Sequence, residues 1–159
     1  MDFSAVIKDR IISSTAVGGG DIGSSCRVVT VGGEYFVKHY SVPGTSAAET
    51  AGLKAMSATG AVRVPEVVVH DEHFIVLQYI TQEPRCPEFQ MLLWRGLARM
   101  HRVSATAKRS EEKCFGFHQD NFIGSTVQKN EWKNSWTDFF IENRIGFQVR
   151  IAADEAVSS

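Results

Sequence analysis

The chain has 159 residues, ordinary apolar (43%) and charged (22%) fractions and a net charge of −1. This length carries a domain with a buried core, while the near-neutral balance and the lack of a basic stripe exclude a dedicated nucleic-acid binder. No stretch reaches the apolar length that spans a bilayer, the N-terminal residues show no signal-peptide pattern, and three unpatterned cysteines (Cys26, Cys86, Cys114) read as free thiols in a reducing compartment, the cytosol by default.

Residues 3–12 carry Phe3, Val6, Ile7 and Ile11 at helical spacing, which predicts a short amphipathic helix packed on the outside of a sheet. A glycine run follows, in which Gly18, Gly20 and Gly23 form a G-x-G-x-x-G. Three phosphate-binding designs share that pattern, and the flanks separate them. A dinucleotide-binding turn opens a helix at its last glycine, but here Cys26-Arg27-Val28-Val29-Thr30-Val31 is β-branched and bounded by Gly32-Gly33, a strand ending in a hairpin. A Walker-type loop needs a lysine directly after its last glycine, and Ser24 stands there. What remains is a glycine-rich hairpin folded over a nucleotide, the protein-kinase design.

That design needs a lysine on the next strand to reach the nucleotide phosphates and a glutamate on the following helix to orient it. Tyr35-Phe36-Val37-Lys38 supplies the first, and Ser46-Ala47-Ala48-Glu49 supplies the second within an S-x-x-E helix start. Taken singly, Lys38 is a solvated strand lysine and Glu49 a capping glutamate; the order of the pieces carries the nucleotide reading. Glu49 is placed either to cap the helix or to pair with Lys38, and both stay open. The helix over residues 46–59 would turn Ala48, Gly52, Leu53 and Met56 to the sheet and end at Gly60.

Residues 65–70 and 73–80 read as a second hairpin, so the first eighty residues form a five-stranded antiparallel sheet with one inserted helix, a kinase-like small lobe. Gln78, Tyr79 and Ile80 leave the fifth strand at the hinge, where main-chain groups would meet adenine. Residues 81–87, with two prolines, form a linker. A helix over residues 88–101 has the stripe Phe89, Leu93, Leu97 and Met100, and a polar loop over 104–113 follows. His118-x-Asp120 imitates a catalytic loop, but Ser125 stands where the metal-binding asparagine would be, so that reading is rejected and no metal ligand is assigned. A last helix over residues 131–153 would bury Trp132, Trp136, Phe139, Phe140, Phe147 and Ile151. The fold class is therefore α+β, with a small lobe at 1–80, a hinge at 81–87 and the first helices of a truncated large lobe at 88–159.

Three stretches together resemble the fructosamine kinase family (ketosamine 3-kinases, including protein-ribulosamine kinases), relatives of the aminoglycoside phosphotransferases. They are Gly18-Gly19-Gly20 with Tyr35-Phe36-Val37-Lys38; Glu49-x-x-Gly52-Leu53; and Asp120-Asn121-Phe122-Ile123-Gly124-Ser125-Thr126-x-Gln128-x-Asn130-x-Trp132-x-x-x-Trp136-x-x-Phe139-Phe140-x-x-x-Arg144. The last block is the most specific. Val127 stands where the family has proline, and Asp21 where some eukaryotic relatives carry a cysteine, which puts thiol regulation there in doubt.

The resemblance implies ATP-dependent phosphorylation of the 3-hydroxyl of ketosamines, free or on protein lysines, with ATP and Mg2+ as cofactors and protein deglycation as the outcome. Lys38, oriented by Glu49, would hold the α/β-phosphates under the glycine hairpin. The family's H-G-D loop and metal-binding aspartate lie downstream of the Trp-rich helix, so the chain alone is expected to be inactive. The alternative is a non-catalytic nucleotide-binding or protein-interaction module. Neither nucleic acid nor membrane is expected as a partner.

Overall fold

The structure, a computed structural model, describes residues 7–18, 23–107 and 115–157. Chain contacts divide it into two compact units, Met1–Met100 and His101–Ser159.

The first unit is built on five antiparallel strands: β1 (Ile11–Ala16), β2 (Gly23–Thr30), β3 (Glu34–Tyr40), β4 (Val67–His70) and β5 (Phe74–Gln78), in the spatial order β1-β2-β3-β5-β4. Helix α1 (Thr45–Ala58) is inserted between β3 and β4, and α2 (Phe89–Ala107) begins after β5. The register sets Cys26 opposite Val37, Val28 opposite Tyr35, and Val37 opposite Val76. Because side chains alternate along a strand, these residues share one face. There Val28, Val37, Val76 and Ile7 form a buried cluster with Ile11, Val69 and Phe74 around it. Each such aliphatic side chain stabilises the fold by about 1.5–3 kcal/mol when taken fully from water. The other face carries Tyr40, Ile75 and Leu77, covered by Leu53 of α1 together with Phe36 and Val67.

Three local expectations change in the sheet and α1. Residues 3–12 do not form one helix: Ile11 and Ile12 open β1, where Ile11 pairs with Thr30, and Ile7 is buried in the sheet core. Phe3 and Val6 lie outside the described residues. Apolar spacing alone could not separate the two outcomes, since pairing with β2 is a tertiary event. The Asp9 carboxylate accepts from the Gly32 amide at 2.6 Å, tying this segment to the β2–β3 turn. At α1, Gly44 is the N-cap and Ser46 lies inside the helix, where its buried hydroxyl donates to the Phe74 carbonyl at 2.7 Å. Glu49 therefore sits beyond the first turn and caps nothing. Of the expected inward stripe, Ala48 is buried and Leu53 packs on the sheet, while Met56 is exposed.

Helix α1 stops where Gly60 adopts a left-handed φ of 59°, the conformation that ends many helices. Within the same unit, α2 passes so close to the preceding loop that a Cβ on Gly96 would come within 2.9 Å of Val62 Cγ1.

The second unit holds the hairpin β6 (Asn121–Ile123) and β7 (Thr126–Gln128), then α3 (Trp136–Phe140), a π-helical turn (Ile141–Ile145) and α4 (Gly146–Val157). The hairpin turns at Gly124, whose φ of 65° at the first of two turn positions suits a type II′ connection. The last helix starts later than its aromatic spacing predicts. Ser135 caps it, its hydroxyl accepting from the Asp138 amide at 3.0 Å, while Lys133 pairs instead with Phe115 as a β-bridge. Phe139 is buried, but Trp136 and Phe140 of the expected buried face are exposed and stack on each other with centroids 5.6 Å apart. Residues 104–107, expected in a loop, complete α2, and 108–113 lie outside the described residues. Among the described residues, no helix is long and apolar enough to cross a membrane.

Candidate nucleotide site

Alternation along β3 puts Phe36, Lys38 and Tyr40 on the face that α1 covers. One helical turn into α1, Glu49 reaches back. The Lys38 ammonium donates to both its oxygens, at 3.0 Å to Oε1 and 2.7 Å to Oε2. The Tyr40 hydroxyl donates to the same Oε2, and its ring lies under the ammonium with Nζ 5.2 Å from the centroid. Lys38 and Glu49 keep 31% and 28% of their side-chain surface, enough to meet a ligand from the cleft side. Burial and the neighbouring Glu49 carboxylate push the Tyr40 phenol well above its usual range, so it stays a donor.

Lys38 and Glu49 form part of the wall of a cleft of about 430 Å³. Phe36, Pro65 and Leu77 give it apolar surface, and Gln78, Tyr79, Ile80 and Gln82 line the side where the chain leaves β5. Val17 and Ser25 form its lip and are tied together by a Val17 N–H to Ser25 carbonyl bond of 2.9 Å. The glycine run lies between them in sequence. Gly18 leaves β1 with open space where a Cβ would stand, Gly23 begins β2 opposite Tyr40, and Gly20 and Asp21 lie outside the described residues. The run leads into a strand, not a helix.

The exit from β5 is braced. The Gln78 amide donates to the Glu66 carbonyl at 2.8 Å and the Tyr79 amide to the Glu34 carbonyl at 3.3 Å. Arg27 stands over the Tyr79 ring at 4.9 Å while its guanidinium makes two hydrogen bonds to the Glu34 carboxylate, at 3.0 and 2.6 Å. Sequence reasoning missed Tyr40 and the apolar walls. Tyr40 had a usable signal, two residues past Lys38 and hence on the same face; Leu77 joins the cleft only through the β3–β5 pairing that sets it opposite Phe36, and Pro65 only through the β4–β5 pairing beyond it.

In the second unit, the Asp120–Arg144 block spends its polar groups on itself. Asp120 accepts from Lys129 Nζ at 2.7 Å and from the Asn130 amide at 2.9 Å. The buried Asn130 side chain donates to the Gln119 carbonyl and to Asn121 Oδ1, and accepts from Arg144 at 2.6 Å. Arg144 also donates to the Lys129 carbonyl and lies 4.5 Å over the Phe139 ring. Lys129 beside it holds the Asp120 carboxyl below its usual value, while burial draws the Arg144 guanidinium down. The geometry is that of a brace. No group of three or more His, Cys, Asp or Glu among the described residues converges as a metal site.

The sequence model described as "Fructosamine kinase" matches residues 4–159. A "probable ketoamine kinase" of Vibrio cholerae is 36% identical over 171 residues, covering 99% of this chain and 53% of that protein. The chloroplastic protein-ribulosamine 3-kinase of Arabidopsis thaliana is 36% identical over 153 residues, covering 92% of this chain and 45% of the relative. Among solved structures, a fructosamine-3-kinase candidate from Haemophilus somnus 129PT superposes with a TM-score of 0.79 at 23% identity, covering 92% of this chain and 50% of its own, which establishes the kinase-like fold. The chain spans about half the length of these relatives. With its model matched over nearly every residue and its sheet, helix and Lys–Glu pair in place, the chain belongs to the fructosamine kinase family.

Proposed function

We propose that these residues form the nucleotide-holding part of an ATP-dependent ketosamine 3-kinase, an enzyme that phosphorylates the 3-hydroxyl of ribulosamine or fructosamine adducts, free or on protein lysines, and so promotes deglycation. The observation that carries this reading is the Lys38–Glu49 pair, held at 2.7 Å in the wall of a cleft shared with the β5 exit. The volume of about 430 Å³ lies within the range of small-molecule sites, and its surface is divided as a nucleotide requires. Phe36, Leu77 and Pro65 give a purine ring apolar contact and Lys38 supplies positive charge for the α/β-phosphates; the glycine run of Gly18, Gly20 and Gly23, which lies in sequence between the lip residues Val17 and Ser25, would cover them. Since the Gln78 and Tyr79 amides are already bonded, the adenine acceptor would take its donor from Ile80 or beyond.

Phosphoryl transfer depends on positioning and on neutralising charge as it develops. In this reading residues 1–80 do the first and residues 81–87 are the hinge, while Mg2+ is held through ligands that the family resemblance puts after the Trp-rich helix, with the H-G-D base. The chain alone is accordingly inactive. The free thiols of Cys26 and Cys86 suit the cytosol.

Titration with the fluorescent nucleotide mant-ATP in the presence of Mg2+ tests the site. Saturable binding is expected, with Lys38→Ala weakening it about tenfold or more, as loss of a charge-assisted contact does. A coupled ATP assay with ribulosamine or fructosamine should give no turnover above that variant. Binding indifferent to Lys38→Ala overturns the nucleotide site, and turnover overturns the inactivity.

A further inference from the structure

We propose that Tyr40 is a positioning residue, whose hydroxyl fixes the Glu49 carboxylate and through it the Lys38 ammonium at the phosphate side of the cleft; this deepens the nucleotide reading above and rests on it. Three observations converge. Tyr40 is 4% exposed and packs with Ile75 and Leu77, so its ring is anchored in the sheet core. Its hydroxyl donates to Glu49 Oε2, the oxygen that lies 2.7 Å from Lys38 Nζ. Its ring also underlies the ammonium at 5.2 Å, a cation–π distance.

The pair by itself is a poor fixed point. Lysine and glutamate lose much rotamer freedom when held in one geometry, and partly exposed ion pairs gain little to offset it. A tyrosine has two side-chain torsions, and here packing settles both. It therefore holds the carboxylate at the cost of little further ordering. It matters more once a phosphate arrives. The ammonium must then share its donors between ligand and carboxylate, and the phenol keeps Glu49 satisfied as Lys38 leans away. The phenol's raised ionisation keeps it a donor throughout the neutral range.

Two readouts on the whole chain test this. Tyr40→Phe keeps the ring and its packing and removes only the hydroxyl. Mant-ATP affinity is expected to fall about tenfold, the scale of one hydrogen bond to a charged group. The same substitution in a Glu49→Ala background, where the hydroxyl has no side chain to hold, should change nothing further. Without nucleotide, acetylation by sulfosuccinimidyl acetate, followed by mass spectrometry, should label Lys38 several-fold faster in Tyr40→Phe than in wild type. The exposed Lys54 on α1 serves as internal reference. Lys54 corrects for reagent and time, and thermal melts of both proteins place the labelling well below unfolding, so the ratio isolates the local effect. An unchanged Lys38:Lys54 ratio overturns the proposal and leaves Tyr40 as core packing only. If wild type binds no mant-ATP, the nucleotide reading fails, while the labelling ratio still decides whether Tyr40 positions the pair.

Discussion

Asp120 shows how a single carboxylate can be structural in a motif that looks chemical. It accepts from Lys129 Nζ and from the Asn130 amide, and the lysine's hydrogen bond, followed by that amide bond and the lysine's charge, holds its carboxyl below the usual 3.8 against the opposing effect of burial. A depressed folded value means that the carboxylate contributes stability above the unfolded value, about 3.9, and loses it as pH falls through the folded one. Asp120→Asn should therefore melt below wild type at pH 7, with the gap closing in acid below pH 3. Asparagine keeps an oxygen for the Asn130 amide, so the variant removes mainly the charge. At 39% exposure the pair is screened by solvent, and the expected loss is small, about 0.5 kcal/mol or less. Thermal melts of both proteins at pH 7 and pH 2 check it; an equal gap at the two values refutes the assignment. The same residue explains why the sequence was hard to read here. His118-x-Asp120 resembles a catalytic pair, and only the fold shows that Lys129 and Asn130, nine and ten residues on, have taken both oxygens of Asp120.

Elements were legible where periodicity and punctuation agreed. The β2–β3 hairpin, the β4–β5 hairpin and the stop of α1 at Gly60 all follow from alternation bounded by glycine or turn residues. Those that misled had one signal without the other. Trp132 and Trp136 keep helical spacing, yet the capping hydroxyl at Ser135 starts the helix after the first of them. The strands β6 and β7 have three residues each, too few for alternation to show. Gly60 allows the punctuation itself to be tested. A Cβ there would meet nothing within 4 Å, so any cost of Gly60→Ala comes from the φ of 59° alone. The expected destabilisation is about 1–2 kcal/mol, with Gly60→Asn costing clearly less because asparagine tolerates this region. Urea unfolding ranks the three proteins, and equal losses for Ala and Asn would show that something other than backbone conformation is at stake.

At the scale of the whole chain, the fold was readable because the nucleotide elements are local in sequence, from the glycine run through Lys38 and Glu49 to the β5 exit, and the family because the Asp120–Arg144 block is contiguous. The residues also point to apolar faces on the helices over 88–101 and 131–153, and the structure shows which side chains stay open. On α2, Met91, Leu92, Leu93 and Trp94 are all exposed, Trp94 by 67%. In the second unit Ile141, Ile145 and Val149 recur every four residues and are each more than half exposed. Isolated exposed aliphatics are ordinary, but clustered ones of this kind mark surfaces that seek cover. The chain should therefore self-associate as its concentration rises into the tens of micromolar, read as a growing mass by light scattering after size exclusion. Trp94→Glu and Ile145→Glu, one in each unit, should each lower that mass, while mant-ATP binding in the first unit stays as it was. A single-chain mass across the whole range would instead favour the second reading of this protein, a self-standing nucleotide-binding module, because a chain that tolerates these side chains in water has no need of anything to cover them.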